Sequence, residues 1–192
     1  MDMTLKEFAE RYWGMFTANF DEDEKIQTFI IEGSSGDVTV MLTPWSSDKE
    51  KFAVLTAVIG HMIEVKATRY ALYSEAWIST SSVDIPREER AMPSEDPDRR
   101  EIVMCTAVAR DGQVHHQSAV IHRDLEGKRI LGPVIHNEGG THTGLMTTLF
   151  RAAERLESLS PSIRELILKS SGTALIGIDP QTGKELSSVR YH

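Results

Sequence analysis

The segment from Asp84 to Glu101 carries a dense set of side chains that could take part in recognition or chemistry. It holds seven carboxylates and four arginines but no lysine. Arginine presents a planar guanidinium that favours bidentate partners such as carboxylates. A loop over 81–98 is long for a connection between adjacent strands, and long loops are often functional. The composition predicts a docking surface or internal ion pairing; a solvated loop whose surface ion pairs contribute little is the alternative.

A docking surface here would include the strand residues on either side of the loop. Glu75 and Trp77 precede the loop and Arg99 and Arg100 follow it, so Glu75 is expected to pair with one of these arginines across neighbouring strands. The predicted partner-binding residues are Glu75, Trp77, Arg87, Arg90, Asp96, Asp98, Arg99 and Arg100.

Several histidines in the second half of the chain could ligate a metal. His116 and His122 share one strand face by parity, and a neighbouring strand ends close to the remaining members. The pool of metal ligands and bases is His116, His122, His136, Glu138 and His142. Because His-Glu-x-x-His and His-x-His patterns are absent, polar histidines that line a partly exposed sheet face are the favoured interpretation. No metal or other cofactor is predicted.

A strand-to-helix junction near 136–144 could bind an anion. Helix N-termini present free N–H groups, and glycines let the backbone approach a phosphate or carboxylate, so Gly139, Gly140 and Thr141 are the residues for such a site. No Walker-type Gly-Lys-Ser/Thr follows them. A structural turn that leads into a helix explains the same residues and is the favoured interpretation.

Nucleophilic catalysis has little support in the sequence. Cys105 lies in the middle of a predicted strand, where a cysteine is most simply a small buried hydrophobe, and no Gly-x-Ser-x-Gly elbow occurs.

Length and charge limit the classes of protein. The chain has 192 residues, a length that fits one domain. Its formal net charge of −8 opposes non-specific binding to nucleic acids or anionic membranes. A single cysteine excludes an intramolecular disulfide. No window is apolar enough to cross a membrane, and the charged N-terminus does not resemble a signal peptide. We therefore expect a cytoplasmic protein.

Periodicity predicts the elements that would position these residues. Apolar residues at helical spacing predict helices near 4–18, 48–66 and 143–158, and a Thr4/Glu7 capping box and Ser47 or Asp48 mark two helix starts. A hairpin lies around residues 33–37, and an antiparallel β-meander spans about 67–136 with Asp111-Gly112 as its firmest turn. The chain is predicted to be a single α+β domain over 1–192. Residues from Thr173 onward are predicted to form a final hairpin, or else 179–192 is a loosely held tail.

Two short motifs give a resemblance to other proteins. Tyr-x-x-x-Ser-Glu-Ala-Trp occurs at Tyr70–Trp77, and Pro-Ser-Glu-Asp-Pro-Asp-Arg-Arg-Glu occurs at Pro93–Glu101. This pattern resembles a group of small uncharacterised prokaryotic and phage proteins over roughly residues 26–135. No activity is established for the group, so the resemblance implies a prokaryotic cytosolic setting and no catalytic residue.

Three functions remain open. The favoured one is a binding module that contacts a protein partner through the 81–98 loop and adjacent strands. The second is a metal-dependent hydrolase of a phosphoester or nucleotide, which would use the histidine pool. The third is a structural subunit of a homo-oligomer.

Overall fold

The computed structural model describes residues 3–17, 27–43, 45–78, 95–138, 148–170, 174–178 and 185–190. Within these ranges four helices and an antiparallel sheet form a single α+β domain, which confirms the predicted class. The helices are α1 (Leu5–Thr17), α2 (Asp48–Glu64), α3 (Leu149–Glu157) and α4 (Pro161–Ser170). The strands are β1 (Thr28–Glu32), β2 (Val38–Leu42), β3 (Arg69–Ile78), β4 (Arg100–Ala109), β5 (Val114–Arg123), β6 (Arg129–Leu131), β7 (Ile135–Glu138), β8 (Ala174–Ile178) and β9 (Glu185–Arg190).

The described strands form one sheet in the order β6-β5-β4-β3-β1-β2-β8-β9. Strand β7 pairs with β5 beside β6, so two short strands share the outer edge of β5. The predicted meander is therefore present as β3, β4 and β5, with β6 and β7 each paired to the outer side of β5. The N-terminal hairpin, β1 and β2, lies in the middle of the sheet between β3 and β8.

Tight turns join the neighbouring strands of the hairpins. At the predicted Asp111-Gly112 turn, Gly112 has a φ of 91°, and the Gln113 backbone N–H donates to Asp111 Oδ1 at 3.0 Å. Gly36 has a φ of 86° in the turn between β1 and β2. Glycine adopts these left-handed conformations without the steric cost that a Cβ brings, which is why both turns form where the sequence predicts them.

Helices cover the two faces of the sheet separately. Helix α1 packs Phe8, Ala9 and Tyr12 against one face, which we call the α1 face. The sheet residues that α1 packs against are Ile30, Val40, Ala71, Tyr73, Cys105 and Ala107. Helices α2 and α3 cover the opposite face, which we call the α2 face, with Phe29, Tyr70 and Val108 among its core residues. Burial of these two apolar layers is the main stabilisation of the domain.

The predicted helix starts agree with the structure at two places. Thr4 and Glu7 form the reciprocal capping box, with the Glu7 N–H donating to Thr4 Oγ1 and the Thr4 N–H donating to Glu7 Oε2. The Ser47 hydroxyl accepts from the Glu50 N–H and caps α2. Helix α3 begins at Leu149, and residues 143–147 of the predicted third helix lie outside the described residues.

The last strands form an antiparallel pair. Within the predicted tail, residues 185–190 form β9, which pairs with β8 through Ala174↔Arg190 and Leu175↔Val189 and then shifts its register before Gly177. Among the described helices, none combines the length and apolar character that a membrane crossing requires.

Candidate functional site

Sheet register brings two of the predicted partner-binding residues together at the end of β3. Glu75 lies opposite Val103 and Trp77 lies opposite Glu101 on β4, so these four residues share the α1 face. Side chains alternate along a strand, so Tyr73, which packs against α1, lies on the same face as Glu75 and Trp77.

A buried cluster of charges forms beside these residues. The Arg129 side chain is only 4% exposed, and its Nη2 lies 2.7 Å from Glu75 Oε2 and 3.5 Å from Glu101 Oε1. The Glu75 and Glu101 side chains are 7% and 14% exposed. Arg123 Nη2 lies 3.9 Å from Glu101 Oε2 at the solvent-facing side of the cluster. The arginine thus ties together β3, β4 and β6.

This cluster is organised for positioning strands rather than for proton transfer. Both carboxylates lie within 3.5 Å of the same guanidinium nitrogen, and all three side chains are largely removed from solvent. A buried ion pair adds little net stability, yet removing one partner costs several kcal/mol because a buried charge then lacks compensation. The cluster therefore holds the end of the sheet in one arrangement.

An arginine–tryptophan stack lies at the same end of the sheet. The Arg99 guanidinium carbon is 4.8 Å from the centroid of the Trp77 ring, within the range of a cation–π interaction. Trp77 is half-buried, whereas Arg99 is exposed. The stack presents an aromatic surface and a cation next to the rigid ion cluster.

A turn built around Asp96 positions Arg99. Asp96 is buried; its Oδ1 accepts the Asp98 N–H at 2.8 Å and its carbonyl accepts the Arg99 N–H at 3.1 Å. A side chain that bonds the backbone two residues ahead is an Asx-turn, which fixes the chain direction locally. The loop thus re-enters the sheet in a defined conformation from residue 95 onward.

The structure does not bring Arg100 to the surface that Trp77 and Arg99 form. Arg100 is exposed and lies opposite Ile78 in register, on the α2 face, so it does not share a face with Trp77. Arg87 and Arg90 lie outside the described residues. The sequence predicted that Glu75 would pair with Arg99 or Arg100, but Glu75 pairs with Arg129 instead. Sequence reasoning missed Arg129 because only the strand order places β6 within reach of Glu75.

The histidine pool is divided between the two faces. His116 pairs in register with Asn137, whereas His136 pairs with Gln117 and Glu138 with His115. Since neighbouring residues of a strand alternate, His116 and His122 lie on the α2 face while His136 and Glu138 occupy α1-face positions. His142 lies outside the described residues. Among the residues that are described, no three His, Cys, Asp or Glu side chains could hold a metal ion together.

Individual histidines have local partners instead. His116 Nδ1 lies 2.9 Å from Thr106 Oγ1. His136 Nε2 lies 3.9 Å from Glu10 Oε1 on α1, and its ring centroid is 5.7 Å from that of His115. These contacts join β7 to α1 on one face and β5 to β4 on the other.

The remaining chemical candidates are Cys105 and the glycine junction. Burial raises the pKa of the Cys105 thiol to about 12, which keeps it protonated and weakly nucleophilic, as its mid-strand position predicts. Gly139, Gly140 and Thr141 lie outside the described residues, so the anion site stays a prediction.

A comparison with protein families identifies what the chain is similar to. A family model described as bacteriophage lambda protein ea47 matches residues 13–153, well over half of the chain. No curated protein and no solved structure matches. The matched region includes the ion cluster and the Trp77–Arg99 stack.

Proposed function

Because the chain belongs to the family of bacteriophage lambda protein ea47, we propose that it is a phage protein that binds a protein partner through the 81–98 loop and the strand ends beside it. The bacterial cytoplasm is the proposed setting, since the single cysteine is buried and needs no oxidising compartment.

The stack of Arg99 on Trp77 is the observation that carries this proposal. Tryptophan and arginine dominate binding hot spots because they combine a large apolar area with directional polar contacts. Trp77 and Arg99 meet at 4.8 Å at the end of β3, where the tryptophan is half-buried and the arginine is exposed.

Preorganisation supports the same surface. The Glu75–Arg129–Glu101 cluster fixes β3 relative to β4 and β6, and the Asp96 turn fixes the approach of Arg99. A surface that is rigid before binding loses less conformational entropy in the complex. The buried charges therefore contribute to binding indirectly, through the geometry of the strand ends.

Affinity capture with matched variants tests the proposed surface. The full chain, carrying an affinity tag, is used to capture proteins from the lysate of a phage-infected bacterium, as wild type, Arg99→Glu and Lys51→Glu. Lys51 is the matched control because its Nζ lies 5.8 Å from the Trp45 ring on another part of the molecule. We expect a partner that wild type and Lys51→Glu retain and that Arg99→Glu loses, with affinity reduced by roughly 30-fold, the equivalent of about 2 kcal/mol at a hot spot.

A deletion of residues 82–94 tests the loop without removing Asp96, whose buried side chain shapes the turn. The deletion variant is first checked for its circular dichroism spectrum and unfolding transition. If the folded deletion variant and Arg99→Glu both capture the same proteins as wild type, the surface is not the contact site.

A further inference from the structure

The outer edge of β7 has its own backbone donors and acceptors. The Gly132 N–H donates to the Val120 carbonyl at 2.8 Å, so even-numbered residues of β5 direct their backbone groups toward β6 and β7. In the register of β5 and β7, His116 and Ser118 face Asn137 and Ile135. Because backbone groups alternate along an antiparallel strand, His136 and Glu138 direct theirs away from β5. No described strand pairs with that edge.

We propose that two copies of the chain associate through β7, antiparallel about a two-fold axis at Asn137. Two-fold symmetry about an axis perpendicular to the sheet sets one condition on every cross-strand pair. The two opposed residues must both direct their backbone groups toward the partner strand, or both direct them away from it. The axis at Asn137 meets this condition, and it places His136 opposite Glu138 of the partner subunit, and Glu138 opposite His136 of the partner subunit. Both opposed positions bring a base and an acid together, which favours a cross-strand pair.

Exposed aliphatic side chains also concentrate at this edge. Ile135 on β7 and Val134 just before it are exposed, and Ile130 is exposed on β6, which pairs farther along the same strand β5. Strand β7 itself contains neither proline nor lysine, the residues that commonly protect a sheet edge. A second copy would continue the sheet and cover part of this apolar rim.

Charge exchange across the two-fold axis tests the register. The molecular mass of the full chain is measured by analytical ultracentrifugation over a range of concentrations at low ionic strength, and wild type is expected to approach twice 21.5 kDa. His136→Glu places a carboxylate opposite Glu138 of the partner subunit at both symmetry-related positions, and Glu138→Lys places an ammonium group opposite His136 of the partner subunit. Each variant removes the acid–base pair and should weaken the dimer about tenfold. The double variant restores opposite charges and should restore the dimer. His122→Glu, on the opposite face, is the control.

A cysteine cross-link gives an independent measurement. Asn137 forms the central non-hydrogen-bonded pair, where Cα atoms lie about 4.5 Å apart, within disulfide reach. Asn137→Cys should therefore form a covalent dimer under mild oxidation. Val134→Cys, whose equivalent in the partner subunit would lie roughly 20 Å away, should not. A wild type that stays monomeric, a double charge variant that does not recover, or equal cross-linking of the two cysteine variants each overturns the proposal.

Discussion

Removal of the Arg129 guanidinium would leave Glu75 and Glu101 without their shared cation. Arg129→Met should therefore lower the free energy of unfolding by about 3–5 kcal/mol, measured by urea denaturation. Arg123→Met is the control: Arg123 is 55% exposed and 3.9 Å from Glu101, so its loss should cost less than about 1 kcal/mol after solvent screening.

A triple variant separates charge from packing at this cluster. Adding Glu75→Gln and Glu101→Gln to Arg129→Met removes every uncompensated charge, and much of the lost stability should return. Equal effects of Arg129→Met and Arg123→Met would show that the cluster is hydrated and that its ion pairs resemble surface pairs.

His61 makes stability depend on pH. Burial is the main cause that lowers its pKa below the ordinary value of 6.5, while nearby Glu64 acts in the opposite direction. The unfolded chain therefore binds the proton more readily, so stability is present above pH 6.5 and declines as the pH falls through 6.5 toward the folded-state pKa. His61→Gln should flatten the dependence of the urea midpoint on pH between about 7 and 5.5.

At the scale of single elements, replacing two different glycines by alanine should change the stability of the protein in opposite directions. Gly14 lies in the exposed part of α1, and an added Cβ would meet no atom within 4 Å, so Gly14→Ala should stabilise the protein by about 0.5–1 kcal/mol. Gly112 has a φ of 91°, where alanine is strained, so Gly112→Ala should destabilise it by about 1 kcal/mol or more. Thermal unfolding of the two variants measures both signs, and stabilisation by both would contradict the assigned conformation of the turn.

Elements whose information is local were predictable from the sequence. The Thr4–Glu7 capping box, the Ser47 cap and the Asp111-Gly112 turn each depend on residues within a few positions, and all three form as predicted. The alternation of side chains between the two faces of a single strand was equally predictable from the sequence. It places His116 and His122 on one face because six residues separate them.

The candidate site required information that no local pattern contains. His136 lies across from Gln117 because β7 pairs with β5 in one particular register, and a shift by one residue would have moved it to the face of His116. Arg129 contacts Glu75 because β6, β5, β4 and β3 follow one another in the sheet. Strand order and register are long-range properties, so the sequence located the Glu75–Trp77 strand but not its ionic partner.

At the scale of the whole molecule, one sheet connects every region discussed. The Trp77–Arg99 stack lies at one end of the central strands, and β7 lies at a lateral edge. The two proposed interactions thus use separate surfaces, so a dimer through β7 and a partner at Trp77 can be tested independently. Variants at His136 and Glu138 should change self-association, while Arg99→Glu should change partner capture.

The position of β2 has a consequence for the order of events during synthesis. Strand β2 pairs with β1 on one side and with β8 on the other, and Val40 meets Ile178 there. Residues so distant in sequence close a long loop, which slows their pairing. While the ribosome is still adding residues beyond 153, the meander and the N-terminal hairpin can already pair, but the free side of β2 has to wait for β8. A nascent chain therefore exposes a central strand of its final sheet until its last hairpin emerges, and this interval is when a chaperone would be needed most.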